Sequence, residues 1–332
     1  MPMLSRVADN LYWMSRYLER AEHTARLVDV SLYHLLDQKT DYAAQRWKRL
    51  YDSLRIPVPE QHVDDAYSVT QSLAFDTINT SSIVSCISSA RENAQQVRER
   101  ISSEMWEQLN RLFLKVKHAN MEDIWFAAPH EFLTAIKEGV QLFQGLTDST
   151  MSNNEGWHFI QVGRYIERAW ATAALIDVHF RTSSLVQPEQ IDSLRSDHLD
   201  YLEWVGLLRS CSAFQAYCGA YTANIYPERI AEFLLFNTEF PRSIHFAIDM
   251  LQRALHAIAK ATNARRTQRI ERLVGRLSAA LDYDQVEDII EDIHSYLEHI
   301  QQQCTQIHNA IYQTYIFYPV DVALTLEGAA QS

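Results

Sequence analysis

"RYLERAEHTARLVDV" spans residues 16–30, and "RYIERAWATAALIDV" spans residues 164–178. Aligned without a gap, the two stretches agree at ten of fifteen positions. From Leu4 to Val28, apolar residues recur every three or four positions, which is the period of a helix with one apolar face. Amphipathicity explains repeated apolar residues, but it does not explain why Arg-x-x-Glu-Arg is repeated as well. The repeated charges indicate a shared role in two related helices.

A second pair of similar strings extends the repeat along the chain. "FDTINTSSIVSCI" (75–87) and "FNTEFPRSIHFAI" (236–248) share a Phe, an Asp or Asn, a Thr and a later Ser-Ile pair. Their offset differs from that of the first pair, which a loop insertion explains. We predict one helical domain over residues 1–332. It is built from two diverged tandem units, about 1–148 and 149–332, that meet at a pseudo-twofold centre.

The composition favours an all-α bundle of long helices. Glycine and proline number only eight each in 332 residues, too few for the turns of many short strands. The apolar periodicity predicts helices near 4–36, 40–54, 63–74, 83–102, 103–118, 129–146, 156–182, 188–222, 242–262, 265–281 and 283–317, with a short one from Pro227. The most loop-like segment is "TDSTMSNNEG" (147–156).

Charge and hydropathy exclude several classes of protein. A net charge of −12 argues against binding to nucleic acid or to an anionic membrane. No apolar run approaches the length of a membrane span, and the first residues lack the apolar segment of a signal peptide. The four cysteines form no C-x-x-C pair. We therefore expect a cytoplasmic protein with reduced thiols. The sequence is also compatible with a homo-oligomer.

The repeated charges form a stripe along each helix. They are Arg16, Glu19, Arg20 and His23 in the first stretch, and Arg164, Glu167 and Arg168 in the second. The spacings of three, four and seven residues put each set on one helix face. If both faces point inward, four guanidinium groups meet two carboxylates. The centre then carries surplus positive charge, which is costly to bury without partners.

Two interpretations of the stripes stay open. In the structural one, Glu19 pairs with Arg168 and Glu167 pairs with Arg20 across the centre. Nearby acids would then balance the remaining charge: Asp9, Asp29 and Asp177. Under this interpretation Arg20→Leu strands a buried carboxylate and costs on the order of 3–5 kcal/mol. In the functional interpretation, the surplus guanidinium groups bind a carboxylate or a phosphate.

An enzymatic alternative rests on the positions where the two copies differ. Glu22, His23 and Arg26 of the first become Trp170, Ala171 and Ala174 in the second. If chemistry occurs here, His23 is the natural proton carrier, oriented by Glu19 one turn before it. A buried histidine on a helix is more often a packing residue.

A di-metal bundle is the weaker alternative. Glu-x-x-His occurs at Glu155/His158 and at Glu291/His294, but such a centre also needs two further inward glutamates. Glu155 is better explained as a first-turn acid, and Glu291 and His294 as part of a solvated face. We assign no metal ligands and no cofactor.

The chain resembles the bacterial alpha-E domain family, named for its helices and its Glu-Arg motif. The resemblance begins with "MLSRVADNLYWMSRYLERAEHTARLVDV" (3–30) and continues through "EGWHFIQVGRYIERA" (155–169) and "FPRSIHFAIDML" (240–251). It implies an all-α fold. It also implies partnership with circularly permuted ATP-grasp amide ligases and with transglutaminase-like proteases. Family members are encoded beside these enzymes or are fused to them. It implies no reaction of the domain itself.

We therefore expect a non-catalytic binding or scaffold partner of an ATP-grasp ligase that helps to present a peptide or amino-acid substrate. Four arginines would lock the two halves together or hold a substrate carboxylate: Arg16, Arg20, Arg164 and Arg168. The alternative is a transferase or hydrolase acting on the ligase product, with His23 and Glu19 as acid and base. The N-terminal helix and the basic run at 260–276 are the two candidate docking faces.

Overall fold

The computed structural model describes residue 3 and residues 5–37, 43–58, 65–183, 193–222, 224–262 and 267–316, without the side chains of 35–37, 43–44, 182–183 and 193–200. The regular elements within these ranges are all helical, as predicted. The α-helices are α1 (Ser5–Asp37), α2 (Ala43–Leu54), α3 (Ala66–Ala74), α4 (Ile83–Gln96), α5 (Ser103–Lys117), α6 (Met121–Ala127), α7 (Pro129–Thr150), α8 (Glu155–Ser183), α9 (Ser193–Ser210), α10 (Phe214–Tyr221), α11 (Pro227–Phe236), α12 (Ile244–Thr262), α13 (Gln268–Tyr283), α14 (Val286–Ile289) and α15 (Ile293–Ile311).

Helix α7 corrects the predicted loop at 147–156. The helix continues to Thr150, and the hydroxyls of Ser149 and Thr150 donate to carbonyl oxygens one turn back, at 2.7 Å each. Polar residues of this kind can remain in a helix when the hydroxyl has such an acceptor. The turn is thus shorter than predicted, and the side chain of Asn154 accepts hydrogen bonds from the first amides of α8.

Three other predicted segments are divided differently from the prediction. The helix near 83–102 ends at Gln96, and Ser102 caps the next helix by accepting from the Met105 amide at 3.2 Å. The segment predicted as one helix over 188–222 is divided into α9 and α10 at 211–213, and helix α6 was not predicted. The segment 283–317 holds α14, a 3-10 turn (Ile290–Asp292), α15 and a π-turn (Tyr312–Ile316). The start of the helix predicted near 265 falls partly outside the described residues.

The two helices that carry the repeated string lie side by side at the centre. Helix α1 packs on α8, α4 and α7, while α8 packs on α1, α12 and α15. Helix α5 lies against α4 and α7, and α13 lies against α12 and α15. Because α1 and α8 are surrounded, most of their side chains are buried, including the polar ones.

Gly163 sets the closest approach of α1 and α8. A Cβ atom added at Gly163 would lie 2.3 Å from the carbonyl oxygen of Tyr12, so only glycine allows this contact. The two backbones meet here, one turn before the charged stripe of α1 and one residue before that of α8. The approach places the stripe of each helix opposite the stripe of the other.

Two further facts bear on the environment of the protein. No helix in the described ranges is both long and apolar enough to cross a membrane. The thiols of Cys86, Cys211 and Cys304 are free and buried, and that of Cys218 is free and half-buried.

Candidate functional site

The carboxylate of Glu19 on α1 is bonded to Arg168 on α8. Arg168 Nε donates to Oε1 at 2.6 Å and Nη2 donates to Oε2 at 2.9 Å, a bidentate pair. Gln144 adds a third bond to Oε2 at 3.1 Å, and the Glu19 side chain is only 2% exposed. Burial opposes ionisation of Glu19, but the guanidinium groups of Arg168 and Arg242 lower its pKa to about 2. Glu19 is therefore ionised at neutral pH.

The carboxylate of Glu167 on α8 is bonded to two arginines of α1. Arg16 Nε donates to Oε2 and Arg20 Nε donates to Oε1, both at 2.7 Å. Burial opposes ionisation here too, and the two guanidinium groups lower the pKa of Glu167 to about 2. Both predicted pairs across the centre, Glu19–Arg168 and Glu167–Arg20, therefore form. The glutamate of each Glu-Arg string is therefore bonded to an arginine of the other string.

A histidine of α15 completes the surroundings of Arg16. The Tyr12 hydroxyl lies 2.7 Å from His308 Nδ1, and Arg16 Nη1 lies 3.2 Å from both atoms. Burial and the charge of Arg16 lower the pKa of His308 to about 4, so the ring is neutral at pH 7 and Nδ1 accepts. His308 could not be assigned from the sequence, because only the fold brings α15 to α1.

Glu22 lies at the centre of a second group of ion pairs. This group was not predicted from the sequence. Arg242, in the turn before α12, donates from Nη2 to Glu22 Oε2 at 2.6 Å, and Arg26 also donates to this carboxylate. Gln141 donates to Oε1 at 3.1 Å, while Glu22 itself is 0% exposed. Burial opposes ionisation, but Arg242 and Arg26 lower the pKa of Glu22. A signal was present in the sequence: Arg242 stands in the second repeated string where the first has Ser81.

The aspartates expected to balance the surplus charge have other partners, so that prediction was wrong. Asp29 binds His130 Nδ1 at 2.6 Å and Lys137 Nζ at 2.5 Å, both on α7. Ten residues separate Asp29 from Glu19, which is about 15 Å along a helix. At that distance the aspartate meets His130 and Lys137 of α7 rather than the central arginines.

Asp177 and Asp9 also form no ion pair with the central arginines within the described ranges. Asp177 is 0% exposed and binds Arg55 Nη2 at 2.6 Å and His294 Nδ1 at 2.5 Å. The Oδ1 atom of Asp9 has no hydrogen-bond partner among the described residues. Burial raises the pKa of Asp9, with an opposing hydrogen bond from Trp13.

His23 is buried beside this network but is not oriented by Glu19. Its Nε2 atom has no hydrogen-bond partner in the described part of the chain. Burial first, and then the charges of Arg242 and Arg26, lower its pKa to about 4. The carboxylate of Glu19 is directed to Arg168 instead. The structure thus does not bring the predicted acid and base into contact.

Arg164 is the stripe residue that differs most from its partners. Its side chain is 16% exposed, and Nη1 lies 3.7 Å from the half-exposed carboxylate of Asp148. Its Nε atom has no hydrogen-bond partner among the residues that the structure describes. The positive charge that the sequence predicts in surplus is therefore concentrated here.

The Glu-x-x-His pairs have separate surroundings. Glu155 lies in the first turn of α8, as predicted, and accepts from the Met3 amide at 3.1 Å. His294 binds buried Asp177, so it does not lie on a purely solvated face. Within the described ranges, no group of three or more His, Cys, Asp or Glu residues could hold a metal ion.

Two Glu-Arg pairs that exchange partners at the centre of an all-helical fold agree with a known family. Residues 3–316 match Alpha-E, described as a predicted alpha-helical domain with a conserved ER motif. The chain belongs to the Alpha-E family. Glu19-Arg20 and Glu167-Arg168 both fit the described motif.

Relatives of this Alpha-E chain occur in mycobacteria. It is 24% identical over 311 residues to an uncharacterised protein of Mycobacterium tuberculosis (strain H37Rv) and to one of Mycobacterium bovis. Each alignment covers 86% of this chain but 33% of the relative, so the Alpha-E chain spans about a third of their length. No solved structure matches it.

Proposed function

We propose that this chain is a non-catalytic helical scaffold that docks on an ATP-grasp amide ligase and helps to present its peptide or amino-acid substrate. The observation that carries the proposal is the exchange of partners between the two Glu-Arg motifs. Glu19 and Glu167 are each 2% exposed and bonded to arginines of the opposite helix. Buried pairs of this kind fix the register of two helices. The motif would then be architectural, and the work of the domain would lie at its surface.

The proposed architecture is a tandem duplication within one domain. The same order of packing in α1, α4, α5, α7 and in α8, α12, α13, α15 supports it. So do the turns of the second repeated string. Asp76 and Asn237 each accept from the amide two residues on, and Ser82 and Ser243 each accept from the amide three residues on.

The ligase partnership rests on the family and on chain length. ATP-grasp ligases are the partners that the family resemblance implies, encoded beside or fused to the domain. In the mycobacterial relatives the matching segment occupies 33% of a longer chain, which is compatible with fusion. A scaffold of this kind needs a docking face that leaves the central helices undisturbed.

The exposed basic face of α13 is the docking face we propose. Of the two candidates, α1 is buried at the centre of the fold and is therefore unsuitable. Arg269, Arg272 and Arg276 are exposed along α13. Arg265 and Arg266 of the same basic run lie outside the described residues. Such a row favours an acidic surface on the partner.

Native co-purification tests this proposal. The tagged chain is recovered from its own host, and the proteins retained are identified by mass spectrometry; we expect an ATP-grasp ligase. The double variant Arg272→Glu/Arg276→Glu should lower its recovery. Arg111→Glu/Lys115→Glu, an equal charge change on exposed positions of α5, should not. Wild-type protein that retains no ligase refutes the partnership, and equal recovery with both variants refutes the α13 face.

A further inference from the structure

Arg164 breaks the pattern of the central arginines. Five of them donate to a buried carboxylate: Arg16, Arg20, Arg26, Arg168 and Arg242. Among the described residues, Arg164 forms an ion pair only with the half-exposed carboxylate of Asp148, at 3.7 Å, which is beyond hydrogen-bond reach. The charge of Glu19 also favours the ionised Arg164, but Glu19 is bonded to Arg168. The Arg164 guanidinium lies over the ring of Tyr165, 5.2 Å from the centroid, and a ring face accepts N–H groups poorly. A buried guanidinium with so few acceptors calls for another anion.

The equivalent arginine of the first repeat shows what is missing. Arg16 has the carboxylate of Glu167, the hydroxyl of Tyr12 and the ring nitrogen of His308 within 3.2 Å of its nitrogens. Arg164 stands at the same place in the repeated string, without comparable acceptors. Burial and the neighbouring charge of Arg168 both lower the pKa of Arg164, which reflects this difference.

A cavity lies in front of Arg164, and its polar lining is rich in donors. It is small, with a volume of about 10 Å³, and lies between α1, α7 and α8. Gln144 and Gln161 line it, and each uses one amide hydrogen on a carboxylate, Glu19 and Asp148 respectively. Each amide therefore keeps a second hydrogen.

Hydroxyl groups complete the lining. Ser15 is 5% exposed and adds a hydroxyl donor. Thr147 donates to the Phe143 carbonyl at 2.9 Å, so its hydroxyl offers only an acceptor here. The remaining lining is apolar, which strengthens a charged contact by excluding water.

We infer that this cavity binds one small monovalent anion, with Arg164 as its charged ligand and Ser15, Gln144 and Gln161 as its neutral donors. The space is on the scale of one water molecule, so it suits a single halide ion or one oxygen atom of a carboxylate group. Either ligand would neutralise the positive charge that the ion pairs leave at the α1–α8 contact. The inference does not depend on the ligase partnership.

Thermal unfolding at equal ionic strength tests the inference. The probes are sodium chloride and sodium formate, against sodium isethionate, whose anion is too large for the cavity. Binding at saturation should raise the Tm by about 3 °C or more over isethionate. A rise with chloride alone assigns an inorganic ion, and a rise with formate alone assigns a carboxylate. If neither salt differs from isethionate, the inference is overturned.

Two charge-neutralising variants locate the effect. Arg164→Gln should abolish the anion-dependent rise, and should melt in isethionate no lower than wild type, because an unsatisfied buried cation has been removed. Arg253→Gln changes the net charge equally at a side chain that is 72% exposed, and should keep the rise. A rise that survives in Arg164→Gln would refute the assignment.

A bromide-soaked crystal of the wild-type chain gives a readout that needs no variant. An anomalous peak is expected in the cavity, within about 3.5 Å of the Arg164 guanidinium. A cavity without the peak would overturn the halide form of the inference. Displacement of the peak by added formate would show that halide and carboxylate share the site.

Discussion

Arg168 and Glu19 join α8 to α1 through two hydrogen bonds of 2.6 and 2.9 Å, with both side chains at most 4% exposed. The reciprocal contact, Arg20 with Glu167, uses one bond of 2.7 Å, and Arg20 is 25% exposed. The two contacts are therefore related but unequal. This inequality decides which arginine the fold depends on more.

Arg168→Leu should cost more stability than Arg20→Leu. The first change leaves buried Glu19 without its bidentate partner, which costs on the order of 3–5 kcal/mol. The second leaves Glu167 with Arg16, so we expect about 1–3 kcal/mol, below the value that the sequence alone suggests for Arg20→Leu. Urea unfolding of both variants measures the difference. A larger loss in Arg20→Leu would contradict the structure.

Gly163→Ala should destabilise the contact between α1 and α8. The new Cβ atom would lie 2.3 Å from the Tyr12 carbonyl oxygen, so the helices must separate. We expect a loss of several kcal/mol, on the scale of strong overpacking. Gly145→Ala is the matched control, because nothing lies within 4 Å of its added Cβ. It should stabilise α7 by about 0.5–1 kcal/mol, and similar Tm values in the two variants would refute the close approach.

The free energy of unfolding should decrease as the pH is lowered, in two separate pH ranges. Glu19 and Glu167 have pKa values of about 2, lowered from 4.5. Below pH 4.5 these glutamates become protonated in the unfolded chain but stay ionised in the folded protein. Their contribution to the free energy of unfolding is therefore lost as the pH falls from about 4.5 to 2. His23 has a pKa of about 4, lowered from 6.5, so its contribution is complete above pH 6.5 and is lost as the pH falls to 4.

His23→Gln isolates the upper pH window. Removing one titrating histidine should flatten the slope between pH 6.5 and 4 by up to about 1.4 kcal/mol per pH unit. Two half-buried histidines, His179 and His308, keep the rest of the slope, because their pKa values are also lowered to about 4. Denaturant unfolding at stepped pH is the measurement. An unchanged slope would mean that His23 is solvated in the folded protein.

Arg242 and Glu22 should be energetically coupled. Arg242→Met leaves Glu22 with Arg26 and Gln141 only, and should cost on the order of 2–4 kcal/mol. Glu22→Gln in the same chain removes the stranded charge, so the double variant should lose less than the sum of the single losses. We expect a coupling energy of about 1–3 kcal/mol from a double-mutant cycle. Strictly additive losses would place the two side chains out of contact.

Part of the site was predictable because it depends on local periodicity. Spacings of three and four residues put Glu19 and Arg20 on one helix face, and the repeated string does the same for Glu167 and Arg168. Two long helices of one apolar pattern pack together, so charges of opposite sign at the same depth pair. The exchange of partners between the two motifs was one of the two interpretations that these facts left open, and the structure contains both pairs.

Other parts of the site depend on helices that are distant in the chain. Arg242 and His308 reach α1 only because α12 and α15 pack where they do. Asp29 and Asp177 seemed available to the central arginines, but α7 and α15 bring His130 and His294 to them first. No local sequence pattern predicts which distant helix packs against a given position of α1 or α8.

The sequence by itself determined the all-helical class and the two central helices, because helix periodicity is a local property. The reciprocal ion pairs were one of the two interpretations that it left open. Only the tertiary structure decided which central arginine has no hydrogen-bonded carboxylate among the described residues. Arg16 and Arg164 occupy equivalent places in the repeated string, yet Arg16 meets Glu167 and His308, whereas Arg164 faces a cavity. The physical reason is that the burial of a charge and the distance to its counter-ion are set by the packing of all the surrounding helices.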